Sequence, residues 1–182
     1  MKCTYPEGNH PTALKFFPTS NKFAYGSETN NLKIVSENCA LIRNLDTGHV
    51  KIYDIDFSYD GTLMLTCGDD QKFKVWNISE VDLTTTVPPM VGGGFVTGDV
   101  IWTCQFSKDN YVLIGNSDGQ IRIYGPTFTN TLVRAYNSTT TGKALSADFF
   151  YCENSTRIIM GSDNGRFYWY NGNSTATSIN LA

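Results

Sequence analysis

Residues 67–76, Cys-Gly-Asp-Asp-Gln-Lys-Phe-Lys-Val-Trp, combine a small residue, a polar turn and a strand in which apolar and polar residues alternate. The same pattern recurs in three other stretches, and self-similarity at a regular period is the sequence signature of a repeat architecture. The copies begin about 41–48 residues apart, which is the length of one supersecondary unit. The four copies are residues 26–35, 67–76, 115–124 and 161–170.

Each copy predicts a four-stranded antiparallel meander. A short strand ends upstream of each copy on an aromatic residue, a hairpin turn follows, and a more apolar second strand leads into the third strand within the copy. Short strands rich in β-branched and aromatic residues, with no sustained helical period, predict an all-β fold. The aromatic anchors are Phe16, Phe57, Phe106 and Phe149. The weaker fourth strands are predicted at residues 40–45, 82–87, 131–136 and 175–179.

The overall composition favours a folded chain and excludes several kinds of partner. Of the 182 residues, 41% are hydrophobic, and the net charge is -3. Such a charge gives no basic patch for a phosphate backbone, so we expect no direct nucleic-acid binding. The apolar runs are too short to span a bilayer, and the first residues have no apolar core of a signal peptide. We therefore expect no membrane insertion.

The cysteines favour a reducing compartment. The five of them, Cys3, Cys39, Cys67, Cys104 and Cys152, have no Cys-x-x-Cys spacing, and most are interpreted as small buried apolar residues. This interpretation predicts a cytoplasmic protein. Four Asn-x-Ser/Thr sequons, at Asn77, Asn137, Asn154 and Asn173, keep an extracellular location open as the alternative, although chance alone yields about three in such a composition.

The second copy carries the clearest resemblance to a known family. Gly48-His49 resembles the Gly-His dipeptide of the WD40 repeat, and residues 57–61, Phe-Ser-Tyr-Asp-Gly, resemble its Phe-Ser-Pro-Asp-Gly turn. Asp70 stands at the position of the turn aspartate, and Trp76-Asn77 replaces the Trp-Asp ending. The resemblance implies blades of a β-propeller. They are expected at about residues 10–47, 48–96, 97–141 and 142–182.

The resemblance also implies a structural hydrogen-bond network rather than a catalytic one. In the family, the aspartate binds the histidine, the histidine binds a hydroxyl, and the hydroxyl accepts from the tryptophan indole. Here those positions are Asp70, His49, Thr66 and Trp76, and Asp118 is the equivalent aspartate of the third blade. A buried imidazole, hydroxyl and indole each need a partner, which gives the network a physical reason.

Four blades of this type do not usually close into a ring, because WD40 rings are typically seven-bladed. We therefore expect the outer faces of blades 1 and 4 to be covered by a protein partner or a second copy, since repeat units cannot bury their faces alone. WD40 partners usually dock on the narrow face, where the connections between blades emerge. The expected partner-binding residues are Lys51, Asp69, Ser117, Lys143 and Asp163.

The leading hypothesis is a non-enzymatic scaffold that serves as a subunit of a larger assembly. The alternative is an extracellular or surface structural protein that polymerises through its open blade edges. An enzyme is disfavoured because only two histidines are present and no nucleophile motif is visible. Asp54, Asp56 and Asp60 resemble a calcium loop, but Tyr59 stands where the required glycine would be, so no metal or cofactor is expected. Gly92-Gly93-Gly94 is interpreted as a flexible connection between blades.

Overall fold

The computed structural model describes residues 10–78, 83, 87–96, 100–137, 142–152, 155–171 and 179–180, and every regular element among them is a β-strand. The strands form four antiparallel sheets, each made of four consecutive strands, which we call blades 1 to 4. Blade 1 contains β1 (Pro11–Phe16), β2 (Lys22–Ser27), β3 (Asn31–Ser36) and β4 (Leu41–Asp46). Blade 2 contains β5 (Ile52–Phe57), β6 (Leu63–Gly68), β7 (Lys72–Asn77) and β8 (Met90–Phe95). Blade 3 contains β9 (Ile101–Phe106), β10 (Val112–Asn116), β11 (Gln120–Tyr124) and β12 (Leu132–Asn137). Blade 4 contains β13 (Ala144–Cys152), β14 (Ser155–Ser162), β15 (Phe167–Asn171) and β16 (Ile179–Asn180).

The turns between the second and third strands explain why each repeat folds back on itself. Gly119 and Gly165 occupy the same turn position in blades 3 and 4, with φ of 75° and 78°. Glycine has no Cβ and takes a positive φ without steric cost. Blade 2 has Gln71 at that position with φ of 62°. Blades 2 to 4 therefore share this turn geometry even where glycine is missing.

Successive blades stand side by side, with their first strands packed together. β1 packs against β5, β5 against β9, and β9 against β13. One apolar cluster fills each junction between neighbouring blades, as the alternation of side chains along a strand allows. Packing of this extent is not found between β13 and β1 in the described part of the chain, so the four blades form an open arc. Junction residues include Ile34 with Ile55, Val75 with Ile114, and Leu113 with Met160. The predicted all-β fold of propeller blades is confirmed.

The outer strand of blade 2 differs from the sequence prediction. The segment 82–87 lies mostly outside the described residues, and the strand that pairs with β7 is β8. The interpretation of Gly92-Gly93-Gly94 as a flexible connection is therefore wrong. A Cβ on Gly92 would lie 2.4 Å from the Cβ of Phe128, and one on Gly93 would lie 2.5 Å from the carbonyl oxygen of Phe73. The Gly93 N–H also donates to the Phe128 carbonyl (2.9 Å), so a loop of blade 3 presses on this strand. Glycine is needed at these positions because other parts of the backbone approach them closely, not because the segment is flexible.

Replacing Gly93 by alanine is expected to lower the free energy of unfolding by about 1–3 kcal/mol, because the added methyl group meets backbone that cannot move without breaking the β7–β8 pairing. Urea unfolding followed by tryptophan fluorescence would measure the loss. Gly125→Ala is the matched control, since its Cβ would make only an ordinary contact, 3.6 Å from Val133. Equal losses in the two variants would contradict this explanation.

The aromatic anchors also differ in burial. Phe57 and Phe106 are buried, whereas Phe149 is half-buried and Phe16 is exposed. In blade 1 the next residue, Phe17, is buried instead, and its ring centroid lies 4.3 Å from that of Phe57. Phe16 points to the side of blade 1 on which no other described blade packs. The four anchors therefore occupy the same register position, but no described blade packs over the first one.

The fourth sequence copy carries about two extra residues in its first hairpin. The structure uses them to lengthen the ladder, since Phe150 pairs with Arg157, Tyr151 with Thr156 and Cys152 with Ser155. The predicted last strand at 175–179 lies almost wholly outside the described residues, and only β16 is seen there.

Candidate functional site

Four of the predicted network residues come together inside blade 2. The Nδ1–H of His49 donates to Asp70 Oδ1 (2.8 Å), and His49 Nε2 lies 2.9 Å from the Thr66 hydroxyl. The Trp76 indole donates to that same hydroxyl (3.0 Å). Because the hydroxyl has one proton and accepts from the indole, it donates to His49 Nε2. The chain of bonds therefore runs from the connection before β5, through β6, to β7.

Burial decides what this group of residues can do chemically. The His49 side chain is fully buried, and Thr66 is buried with it. A general base must reach the proton it removes from a substrate, whereas both ring nitrogens of His49 are already bonded to Asp70 and Thr66. The arrangement therefore holds three segments of the blade together.

The pKa of the Asp70 carboxyl is lowered from its ordinary value. Burial opposes the charged form, but the hydrogen bond from His49, with further help from the Lys72 N–H and the Lys74 ammonium, outweighs it. A carboxyl with a lowered pKa in the folded state stabilises the fold above its unfolded pKa, and that contribution is lost as the pH falls through the folded value. Asp70 therefore contributes to stability at neutral pH and loses this contribution only in acid.

Replacing Asp70 by asparagine is expected to reduce the free energy of unfolding at pH 7. The fall of this free energy with decreasing pH below about pH 4 should also become less steep, because the carboxyl with the lowered pKa is gone. Urea midpoints measured at several pH values between about 3 and 7 would show both effects. An asparagine variant with the wild-type slope in acid would contradict the assignment.

Asp118 does not take part in an equivalent histidine network. It binds the Arg122 guanidinium through both carboxylate oxygens, and Arg122 also donates to Asn116 Oδ1 (2.7 Å). In blade 4 the corresponding contact runs from the Asn164 amide to the Tyr168 hydroxyl (2.9 Å). Each of these three blades therefore ties its turn to its third strand with different chemistry, and in two of them no histidine is involved. The sequence signal that could have predicted this ion pair in blade 3 is an arginine four residues after the aspartate.

Three of the five predicted partner-binding residues are engaged within their own blades. Asp69 accepts a hydrogen bond from the Lys51 N–H (2.8 Å), and Asp163 accepts one from the Lys143 N–H (2.7 Å). Ser117 sits at the equivalent position and accepts from the Trp102 indole (2.8 Å). These contacts fasten the connection between blades to the turn beside it. These contacts use only the main-chain N–H groups of Lys51 and Lys143 and leave their ammonium groups out.

Two aromatic residues at the same end were not singled out by sequence reasoning. The rings of Tyr53 and Trp102, from neighbouring first strands, lie 4.7 Å apart, and Lys143 Nζ lies 5.4 Å from the Trp102 ring. Both rings follow an apolar residue that enters a first strand, which is the signal that could have found them. We call this end of blades 2 to 4, where the connections between blades lie, the upper end. It carries the aromatic pair together with Lys51 and Lys143.

Two of the aspartates that resembled a calcium loop, Asp54 and Asp56, bind groups of the neighbouring blades instead. Asp54 Oδ2 accepts hydrogen bonds from the Thr103 hydroxyl (2.9 Å) and the Cys104 N–H (3.0 Å) of the next blade. Asp56 Oδ2 accepts one from the Phe106 N–H (2.7 Å), and its other oxygen pairs with Lys15 of blade 1 (2.8 Å). These two carboxylates thus join three successive blades. Within the described residues, no group of three or more ligating side chains could hold a metal ion.

Two segments of the chain match a known family of repeats. The sequence model of the family WD40, described as WD domain, G-beta repeat, matches residues 40–77 and 93–125. The chain carries WD40 repeats. Each matched WD40 repeat begins near the outer strand of one blade and ends with the third strand of the next. The matched segments therefore include the connection that carries His49.

A curated relative is similar to most of the chain. The chain is 27% identical over 171 residues to the coronin-like protein crn1 of Schizosaccharomyces pombe (strain 972). The alignment covers 88% of this chain and 26% of the relative, so the chain spans about a quarter of that protein's length.

The two ends of the WD40 arc expose positions that are buried inside it. In blade 4, Ile159 and Phe167 are 40% and 52% exposed. The residues at the same register positions of the other three blades are fully buried. They are Ala24, Leu65 and Leu113 for the first position, and Leu32, Phe73 and Ile121 for the second. We call the side of blade 4 that carries Ile159 and Phe167 the blade 4 face.

Blade 1 has the complementary exposure on its opposite side. Leu14 and Phe16 are 57% and 69% exposed. Their register equivalents in blades 2 and 3 are all buried, at 8% or less. The equivalents are Ile55 and Cys104 for Leu14, and Phe57 and Phe106 for Phe16. We call this side, which also carries the Phe23 ring 5.9 Å from Phe16, the blade 1 face.

The described cysteines do not all behave alike. Cys67 and Cys104 are free, fully buried and on opposite sides of the junction between WD40 blades 2 and 3. Burial raises the pKa of both thiols, so neither is a reactive nucleophile. Cys39 is disulfide-bonded and is therefore not one of the cysteines that fit the interpretation as reduced apolar residues. Cys3 and the side chain of Cys152 lie outside the described residues.

No helix in the described part of the chain is long and apolar enough to cross a membrane.

Proposed function

We propose that this chain is a non-enzymatic protein-interaction scaffold of the cytoplasm and a subunit of a larger assembly, in which protein covers the open blade edges. The observation that carries the proposal is the exposure of Ile159 and Phe167 at positions that are fully buried in the other three blades. Repeat units bury their hydrophobic faces only by stacking on a neighbour. Contiguous exposed apolar surface of this kind marks protein–protein interaction sites.

The proposal assigns the buried network of His49, Thr66, Asp70 and Trp76 to structure. It keeps the blade rigid, so that its edges and loops hold a fixed shape. A scaffold needs that rigidity more than it needs reactive groups. The WD40 repeats and the similarity to a coronin-like protein support an interaction role in preference to an enzymatic one.

The upper end of the arc is proposed as a second contact surface for a protein partner. Lys51 and Lys143 supply the charges, Tyr53 and Trp102 supply a rigid aromatic centre, and Asp69, Ser117 and Asp163 position the loops. Aromatic residues surrounded by polar groups are typical of protein interfaces. The mixture of lysines and aspartates suits a protein better than a nucleic acid.

The assembly can be tested by native mass spectrometry of the tagged chain purified from its source. We expect a mass above the 20.2 kDa of one chain, and we expect Phe167→Asp to release the associated protein. Phe95→Asp is the matched control, because Phe95 is similarly exposed, at 48%, but lies on β8 away from the blade 4 face. A wild-type mass of one chain, or equal behaviour of the two variants, would overturn the proposal.

One observation favours the alternative of an extracellular structural protein that polymerises through its edges. The disulfide at Cys39 is of a kind that persists in oxidising surroundings. Mass spectrometry of the native protein under non-reducing conditions decides between the two locations. Glycans on the sequons together with a retained disulfide support the extracellular protein, whereas unmodified asparagines and a free Cys39 thiol support the cytoplasmic scaffold.

A further inference from the structure

In blades 2 and 3, the connection between the third and fourth strands places a large apolar side chain in the junction with the preceding blade. Leu83 lies in this connection of blade 2, is 5% exposed and belongs to the apolar cluster between blades 1 and 2. Phe128 lies in the same connection of blade 3, and its ring centroid is 6.0 Å from that of the buried Phe106. Each of these two junctions is therefore completed by one residue from a loop of the later blade.

The earlier blade of each junction also binds the main chain of the inserted residue. The Arg43 side chain on β4 donates from Nε to the Leu83 carbonyl (2.7 Å). The Gly93 N–H on β8 donates to the Phe128 carbonyl (2.9 Å). The fourth strand of the earlier blade thus holds the carbonyl, while the junction takes the side chain.

Blade 3 carries the same donor as blade 1 at the equivalent position. Arg134 on β12 pairs with Ile123 in the register in which Arg43 on β4 pairs with Ile34. Residues paired across neighbouring strands lie on the same face of a sheet, so Arg134 lies on the side of blade 3 that faces blade 4. It therefore stands where Arg43 binds the carbonyl of Leu83.

A cleft of about 260 Å³ lies between blades 3 and 4 at this position. Arg134 lines it together with the apolar side chains of Val133 and Ile158. Phe149, the anchor of blade 4, also lines the cleft and is half-buried, whereas the anchors of blades 2 and 3 are buried. Pockets for drug-sized ligands measure about 300–1,000 Å³, so this smaller cleft matches a single large side chain.

The corresponding connection of blade 4 has no large apolar side chain to insert. Residues 172–178, between β15 and β16, are Gly-Asn-Ser-Thr-Ala-Thr-Ser. They lie outside the described part of the chain, and their composition differs from that of the connections that supply Leu83 and Phe128. An apolar residue for this junction therefore has to come from elsewhere.

The polar groups of the cleft indicate which residue it accepts. Its charged lining residues are Arg134 and Asp109, one of each sign, which suits an uncharged side chain. The Arg134 guanidinium donates to the Tyr136 hydroxyl (3.2 Å). A guanidinium has five N–H donors and can bond to more than one acceptor at once, so Arg134 can bind a carbonyl as well.

We propose that the cleft between blades 3 and 4 binds a peptide segment of a partner protein through one large, uncharged apolar side chain, whose main-chain carbonyl accepts a hydrogen bond from Arg134. The segment does for this junction what Leu83 and Phe128 do for the other two. This inference rests on the proposed function, since it names a further contact site of the scaffold and the chemistry of the segment that fits it.

Nuclear magnetic resonance of the purified chain with labelled isoleucine and valine methyl groups tests the proposal. The probe is N-acetyl-phenylalanine methylamide, which carries the ring and the carbonyl that Phe128 supplies in the neighbouring junction. We expect the methyl signals of Ile123, Val133 and Ile158 to shift and to saturate on titration. N-acetyl-alanine methylamide should leave these signals unchanged. No shift with the phenylalanine probe, or equal shifts with both probes, overturns the proposal.

Substitutions in the cleft test the two halves of the contact separately. Arg134→Met should weaken binding of the phenylalanine probe about tenfold, as expected when a hydrogen bond from a charged group is lost. Val133→Asp should abolish saturable binding, and it spares the core because Val133 is 53% exposed. Arg166→Met is the matched control, since Arg166 is exposed and does not line the cleft. Circular dichroism checks that each variant folds.

Two results of these titrations would contradict the assignment. One is wild-type affinity in Arg134→Met, or a loss of equal size in Arg166→Met. The other is a shift of the same methyl signals when the wild-type chain is concentrated without any probe, which would show that a second copy and not a partner segment enters the cleft.

The outcome also separates this inference from the proposed function. A probe that does not bind, while the native chain purifies with a protein that is lost on Phe167→Asp, sinks the cleft as a contact site and leaves the scaffold standing. A native chain with the mass of a single copy sinks the scaffold, and with it the partner segment.

Discussion

Replacing Phe73 by alanine is expected to lower the free energy of unfolding by about 3–5 kcal/mol, the cost of emptying a large buried site that cannot collapse. The Phe73 ring is fully buried at the junction of blades 2 and 3, where its centroid lies 4.9 Å from that of Tyr124. It also packs beneath the glycine strand β8, since a Cβ on Gly94 would lie 2.5 Å from the Phe73 ring. Urea unfolding monitored by tryptophan fluorescence would measure the loss.

Phe167→Ala is the matched control, because the same residue type stands at the same register position on the uncovered side of blade 4. Its loss should stay below about 1 kcal/mol, since an exposed ring leaves no cavity when it is removed. Losses of equal size at the two positions would contradict the view that no described blade covers this side of blade 4.

Replacing Thr66 by valine is expected to cost about 2–4 kcal/mol, because it leaves two buried polar groups without a partner at once. The Trp76 indole N–H loses its acceptor and His49 Nε2 loses its donor, while the shape of the side chain hardly changes. Thermal and urea unfolding would both report the loss. Because valine fills the same space as threonine, the loss reports the hydrogen bonds of the network and not a change in packing.

Thr127→Val provides the control for that experiment, since Thr127 is exposed in the loop between β11 and β12 and its hydroxyl meets only another exposed threonine. It should change the free energy of unfolding by less than about 0.5 kcal/mol. A Thr66→Val protein as stable as the wild type would show that the network is not needed to hold the blade.

The period of the repeat predicted the architecture because the relevant forces are local. The alternation in residues such as Phe73-Lys-Val-Trp76 determines which side chains face a neighbouring blade, and the polar turns determine where each hairpin reverses. The Gly-His dipeptide, with Asp70 and Trp76, likewise pointed to a set of residues that the fold brings together. Short-range pattern therefore carries most of the information about this fold.

The features that sequence reasoning missed depend on contacts between distant residues. Gly92 to Gly94 form a strand because a loop more than thirty residues later presses on them, and nothing within the glycine run signals that loop. Asp54 and Asp56 resembled metal ligands until the adjoining strand β9 supplied their donors. In blade 3 the partner of the turn aspartate is Arg122 and not a histidine, and no motif based on a single position predicts that difference.

The hydrogen bonds that Asp54 and Asp56 accept from blade 3 come mostly from main-chain N–H groups, those of Cys104 and Phe106. Every residue except proline supplies such a donor, so mutation of the receiving strand leaves the join intact as long as the new side chains fit the space. Genetic drift in that strand is therefore tolerated, and a copied blade can adjoin an older one from the moment of gene duplication. The junction between blades 2 and 3 can therefore persist while the side chains of the receiving strand change.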